Sequence, residues 1–175
     1  MSISAKDVMK LREATGGGMM DCKKALKETG GDFDEAVEYL RKKGQQVSEK
    51  RADREANQGL IMIKIGDDGK KASAIELNCE TDFVARNDDF RNSAEAFLNA
   101  AFKAETGSIA DLLQEEVDGL SIEKQLDEMV GKIGEKIELS RVVFVETDGE
   151  LVKYIHPGNQ LGVIAEFESE VDDKE

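Results

Sequence analysis

Apolar residues in the first 44 positions recur at helical spacing and fall into three short groups. Val8, Leu11 and Ala14 share one helical face; Ser4 is placed to cap that helix, with Asp7 three residues on, and Thr15-Gly16-Gly17-Gly18 ends it. A second helix begins near Asp21, turns Cys22, Ala25 and Leu26 inward, and stops at Thr29-Gly30-Gly31. Asp32 caps a third, Glu35 completes a capping-box spacing, and Phe33, Ala36, Val37 and Leu40 form its apolar stripe up to Gly44, read as a C′ glycine. The pattern predicts a three-helix bundle over 1–44, near the lower size limit for independent folding. Residues 45–57 are polar and charged with almost no apolar stripe, which predicts a solvated linker helix or tether.

Beyond residue 57 the period changes. Gly59 to Ile65 reads as a strand, Gly66-Asp67-Asp68-Gly69-Lys70 as a hairpin turn, and Lys71 to Asn78 as the partner strand. Helical spacing returns from Asp82 to Glu105, where Phe83, Phe90, Ala94, Phe97, Leu98, Ala101 and Phe102 are available to face a core. Two more helical stretches follow, Ile109 to Val117 and Ile122 to Lys136, and then strands at Ile137 to Glu146, Leu151 to His156 and Gln160 to Phe167. Hairpins enclosing helices predict an α+β core domain over 58–175 with an antiparallel sheet.

Composition narrows the function classes. The chain has 175 residues and a formal charge of -14, unevenly spread: residues 1–57 carry 12 Lys and Arg against 11 Asp and Glu, whereas residues 58–175 carry 12 against 27. So acidic a surface argues against direct binding of nucleic acid, whose phosphates call for concentrated basic charge. Nothing approaches the roughly 18 to 20 continuous apolar residues that span a bilayer, and Met1 to Lys6 lacks a secretory apolar region, so a cytoplasmic protein without a membrane partner is expected. With only two cysteines, Cys22 and Cys79, far apart in the chain, there is no disulfide framework or metal-binding pair; the plain reading is reduced thiols, no metal and no cofactor.

Candidate chemistry is sparse. Gly16-Gly17-Gly18 lacks the Lys-Ser/Thr and the preceding strand of a phosphate loop and reads as an interhelical turn. Met19 and Met20 behind it either fill the bundle core or form an adaptable docking surface, with one methionine assigned to each role. His156 is the only histidine, so no catalytic set needing two exists; pairing it with Cys79 has no local signature, and His156-Pro157-Gly158-Asn159 reads as a turn. The pairs Asp67-Asp68, Asp88-Asp89 and Asp172-Asp173 do not fit a calcium loop. The stretch Asn78-Cys79-Glu80-Thr81-Asp82-Phe83-Val84-Ala85-Arg86-Asn87 is unusual, because an apolar pair follows a carboxylate where a strand exits. Thr81 or Asp82 can cap the following helix, and Phe83 either folds back as a staple or serves a partner.

Two long motifs, Leu11-Arg12-Glu13-Ala14-Thr15-Gly16-Gly17-Gly18-Met19-Met20-Asp21-Cys22-Lys23-Lys24-Ala25-Leu26 and Asn78 to Asn87, joined by Gly31-Asp32 and Leu40-Arg41-Lys42-Lys43-Gly44, resemble bacterial elongation factor Ts. The resemblance extends through Tyr154-Ile155-His156 to Ile164. It implies a ubiquitin-associated-like N-terminal bundle and a guanine nucleotide exchange factor in translation elongation. The partner would be elongation factor Tu, GDP-bound and nucleotide-free, and no reaction would be catalysed by an active site of the chain's own. Met19 and Met20 would lean on the GTPase nucleotide domain. The Thr81, Asp82, Phe83, Val84 stretch would push toward its magnesium and phosphate region, and His156 would touch another of its domains. A passive adaptor without exchange activity is the alternative. After Ile164 the family pattern continues through further helices and a final strand, whereas Glu166 to Glu175 is acidic, which leaves homodimer formation open.

Overall fold

The computed structural model describes residues 3–169, and the Asp172-Asp173 pair lies outside them. The fold is α+β, in two compact units. One comprises the chain up to Arg54 together with Lys124–Lys136, and the other Glu55–Glu123 together with the chain from Ile137.

The first unit is built on α1 (Ala5–Thr15), α2 (Met19–Glu28) and α3 (Phe33–Arg51). Ser4 caps α1 as its spacing predicts: the Asp7 amide donates to Ser4 Oγ at 3.2 Å while the Ser4 amide and hydroxyl donate to the Asp7 carboxylate. Those bonds hold the Asp7 carboxyl below its ordinary pKa. Val8, Leu11, Cys22, Ala25, Leu26 and Ala36 form the buried core, with Phe33, Val37 and Leu40 packed against it. One local expectation changes: helix α2 starts at Met19, not near Asp21, and is capped only by the Gly18 backbone. Asp32 caps α3 as expected, through the Glu35 amide at 2.9 Å.

Helix α3 does not stop at Gly44, and 45–57 is not a separate linker helix; the helix runs through to Arg51. The boundary expected at residue 44 therefore falls inside α3. The reason lies in α7 (Ile122–Ile133), most of which belongs to this unit. A Cβ added to Gly131 would lie 2.7 Å from Gly44 Cα, and one added to Gly44 would lie 2.7 Å from the Asp127 carbonyl oxygen. Gly44 thus serves a backbone-to-backbone helix crossing, not a helix end. Arg41 bridges the same pair of helices, with Nε 2.5 Å from Glu128 and Nη1 2.6 Å from Glu38, which raises its already high pKa.

In the second unit β1 (Gln58–Ile65), β2 (Lys71–Cys79) and β5 (Ile137–Glu146) form an antiparallel sheet in the order β1-β2-β5. Alternation along β2 puts Ser73, Ile75, Leu77 and Cys79 on one face, all buried. Against β1 and β2 packs α5 (Asp88–Ala104), through the buried Phe90, Ala94, Phe97, Leu98 and Ala101. After α4 (Asp82–Ala85) and α5 come α6 (Ile109–Gln114) and a small hairpin of β3 (Glu116–Val117) and β4 (Leu120–Ser121), which periodicity does not reveal. The hairpin of β6 (Glu150–Ile155) and β7 (Gly162–Phe167) approaches the opposite face, where a Cβ on Gly162 would meet Ile61 Cγ2 at 2.7 Å.

The helix crossing yields a prediction. Gly131→Ala has to push α3 and α7 apart, so overpacking should cost about 1–3 kcal/mol; denaturant unfolding followed by circular dichroism checks this. A variant as stable as the parent would mean that the crossing opens freely.

Candidate functional site

The chain between Cys79 and Phe90 leaves the sheet and enters α5 through a short, hydrogen-bonded tip. Cys79, at the end of β2, is buried, and its Sγ donates to the Thr81 carbonyl oxygen at 3.2 Å. Thr81 occupies the N-cap position of α4 but makes no side-chain cap; its carbonyl accepts from the Ala85 amide at 3.3 Å. The Arg86 amide donates to the Asp82 carbonyl and the Asn87 amide to that of Val84, at 3.1 and 3.0 Å. Asn87 then caps α5, its Oδ1 accepting from the Asp89 and Phe90 amides at 2.8 and 3.4 Å.

That second cap divides the helix expected over 82–105. Without continuous helix, Phe83 leaves the stripe that buries Phe90 and Phe97. It is 83% exposed, so it is neither a core residue nor a staple. Asp82 is half-buried and its Oδ2 lies 3.0 Å from Arg86 Nη2, while Thr81 and Val84 are half-buried beside it. The Asp82–Arg86 pair is largely solvated and worth only a few tenths of a kcal/mol, ~0.3–0.5. Its consequence is orientation: Asp82 is held back along α4 while Phe83 projects.

His156 is exposed at the start of the turn after β6, its Nδ1 2.8 Å from the Tyr154 hydroxyl. The turn it opens, Gly158 to Gln160, faces α4 across a cleft also lined by Asp82 and Arg86. His156 itself does not line that cleft.

Met19 and Met20 belong to the other unit. They open α2 directly after the Gly16 turn, where φ is 66° and the Lys132 side chain of α7 lies against Gly16. The expected division between core and surface does not occur: Met19 is 43% and Met20 75% exposed. The core position goes instead to Cys22, one turn on. Two solvent-facing thioethers at a helix start are adaptable contact surface.

Cys79 is a poor nucleophile here, being fully buried and hydrogen-bonded to backbone. Burial likewise pushes the Cys22 thiol pKa up. Among the described residues no group of three or more His, Cys, Asp or Glu side chains is arranged to hold a metal ion, and no helix is long and apolar enough to cross a membrane. Arg91, at the edge of the α4 cleft, is a lining residue that the sequence pattern did not single out.

A family model described as Elongation factor TS matches residues 80–175. Among curated relatives, the elongation factor Ts of Prosthecochloris aestuarii is 51% identical over 170 residues, covering 94% of this chain and 59% of the relative. Those of Chlorobium phaeobacteroides and Chlorobium phaeovibrioides are 50% and 51% identical, with 59% and 60% of the relative covered. The chain thus spans about three-fifths of the length of these relatives.

The buried thiols give a direct expectation. In the folded chain both Cys22 and Cys79 should react with an aromatic disulfide reagent far more slowly than free cysteine, and at the free rate in denaturant. Rapid labelling of native Cys79 would restore it as a candidate nucleophile.

Proposed function

Because the chain belongs to the elongation factor Ts family, we propose that it promotes GDP release from elongation factor Tu by inserting the α4 tip toward the magnesium and phosphate site of that GTPase. One observation carries the reading: Phe83, a large apolar side chain, is 83% exposed on a short turn closed by the Ala85, Arg86 and Asn87 amides. Fully burying such a side chain is worth about 1.5–3 kcal/mol, a gain forgone in the isolated chain and available on contact with a partner. An aromatic anchor on a pre-formed tip is the kind of residue that dominates an interface.

Exchange needs no bond chemistry. If the chain binds best to a GTPase conformation whose metal site is disturbed, GDP affinity falls in that complex, and GDP weakens the chain's binding by the same factor. Phe83 supplies the wedge in this account, with Asp82, Thr81 and Val84 shaping its base. Met19 and Met20 supply a docking surface, and exposed His156 a further contact. The chain works as a binding regulator in the cytoplasm, on both GDP-bound and nucleotide-free GTPase, without a cofactor.

Stopped-flow release of a fluorescent GDP analogue from elongation factor Tu tests the proposal at fixed magnesium. The chain should accelerate release, and Phe83→Ala should reduce the acceleration by about thirtyfold or more, while its melting stays within about 0.5 kcal/mol of the parent's. Tight binding without acceleration would favour a passive adaptor; full acceleration by Phe83→Ala would remove the wedge from the mechanism.

A further inference from the structure

We propose that the cleft beside α4 is a receptor for an acidic side chain of the partner GTPase, a second docking point next to Phe83; this rests on the exchange reading above. The cleft lies between α4, the start of α5 and the Gly158 to Gln160 turn, and measures about 430 Å³. A water's share of liquid volume is about 30 Å³, so the space suits a whole side chain with its hydration, not a lone ion.

Two guanidinium groups line it in a unit that is otherwise strongly acidic. The Arg91 guanidinium makes no hydrogen bond or ion pair among the described residues, although it lies just inside the N-terminal end of α5, where the helix dipole disfavours a cation. Asp88 and Asp89 in the first turn complement that dipole; Arg91 does not. Arg86 is 78% exposed and spends one nitrogen on Asp82, leaving most of its five donors unused. Across the cleft Asn159 has both backbone groups engaged, its amide donating to the His156 carbonyl at 2.9 Å and its carbonyl accepting from the Ile61 amide at 2.7 Å. Its side-chain amide makes no hydrogen bond among the described residues, so the turn is fixed while a donor remains available.

The donor set fits a carboxylate better than a phosphate. Asp82 contributes its own negative charge to the lining, which repels a dianion more strongly than a monoanion, and a guanidinium fork matches the planar carboxylate in bidentate fashion. A protein is favoured over a free small acid because α4, which forms one wall, also presents exposed Phe83: the occupant brings an apolar surface with its charge.

The test measures binding of the chain to nucleotide-free elongation factor Tu across a range of salt concentrations. Arg91→Gln should weaken binding by about tenfold at low salt, with the gap closing as salt rises, and Arg91→Lys should recover part of it. Lys103→Gln is the matched control. It removes the same charge from the far end of α5, from a side chain that also makes no ion pair among the described residues, and should change affinity less than about twofold. Arg91→Gln indistinguishable from the parent, or equal loss in both Gln variants, overturns the proposal. So does inorganic phosphate that competes with the parent but not with Arg91→Gln, which would reassign the cleft to a phosphate. If the parent neither binds nor accelerates GDP release, the exchange reading falls and takes the cleft with it. If the parent does both, loses acceleration in Phe83→Ala and is unaffected by Arg91→Gln, the cleft assignment alone fails.

Discussion

Cys79 and Phe90 are both fully buried, and the chain between them must pass from strand to helix within ten residues. That constraint sets the shape of the α4 tip. The Thr81, Asp82 and Val84 carbonyls take up the Ala85, Arg86 and Asn87 amides, the Asn87 side chain takes up those of Asp89 and Phe90, and the large apolar side chain for which this path leaves no interior place is Phe83. The exposed aromatic is therefore a consequence of how β2 is joined to α5. The cost of about 2 kcal/mol for leaving it in water falls on a tip anchored at both ends by core residues. A flexible loop with the same sequence would lose much of the binding gain to ordering.

The bundle unit solves a different problem. Three short helices bury only a small core, and the close approach of Gly44 to Gly131 lets α7 lie against α3 as a fourth helix. Small residues at a crossing bring backbones together, so the contact is sensitive to single methyl groups. The same helix contributes Lys132 against Gly16, which backs the turn leading into Met19 and Met20. The exposed methionines thus sit on a turn supported from behind, as Phe83 does by other means.

Much of this was legible in the sequence. Period-two and helical spacing located the strands and most helices to within a few residues, because both follow from which face is buried; the Ser4 and Asp32 caps followed from side-chain chemistry alone. The failures share a cause. Gly44 looked like a helix end because glycine commonly ends helices, whereas here it makes room for a helix about 80 residues away in the chain, which local pattern cannot register. Phe83 kept two readings open because its spacing to Phe90 suits one continuous helix; only the cap at Asn87 decides, and it competes with good helical propensity on both sides. The short β3–β4 hairpin carries too few residues for any period, and nothing in the local pattern singles out Arg91.

The proposed exchange requires that the chain and GDP oppose each other on one GTPase. The most direct test is a closed thermodynamic cycle at fixed magnesium: affinity of the chain for elongation factor Tu without and with saturating GDP, and affinity of GDP without and with saturating chain. The two ratios should agree and amount to at least about tenfold, within the usual range for coupled sites. Equal affinity of the chain for the GDP-bound and nucleotide-free GTPase would contradict the account, however tightly the two proteins bind.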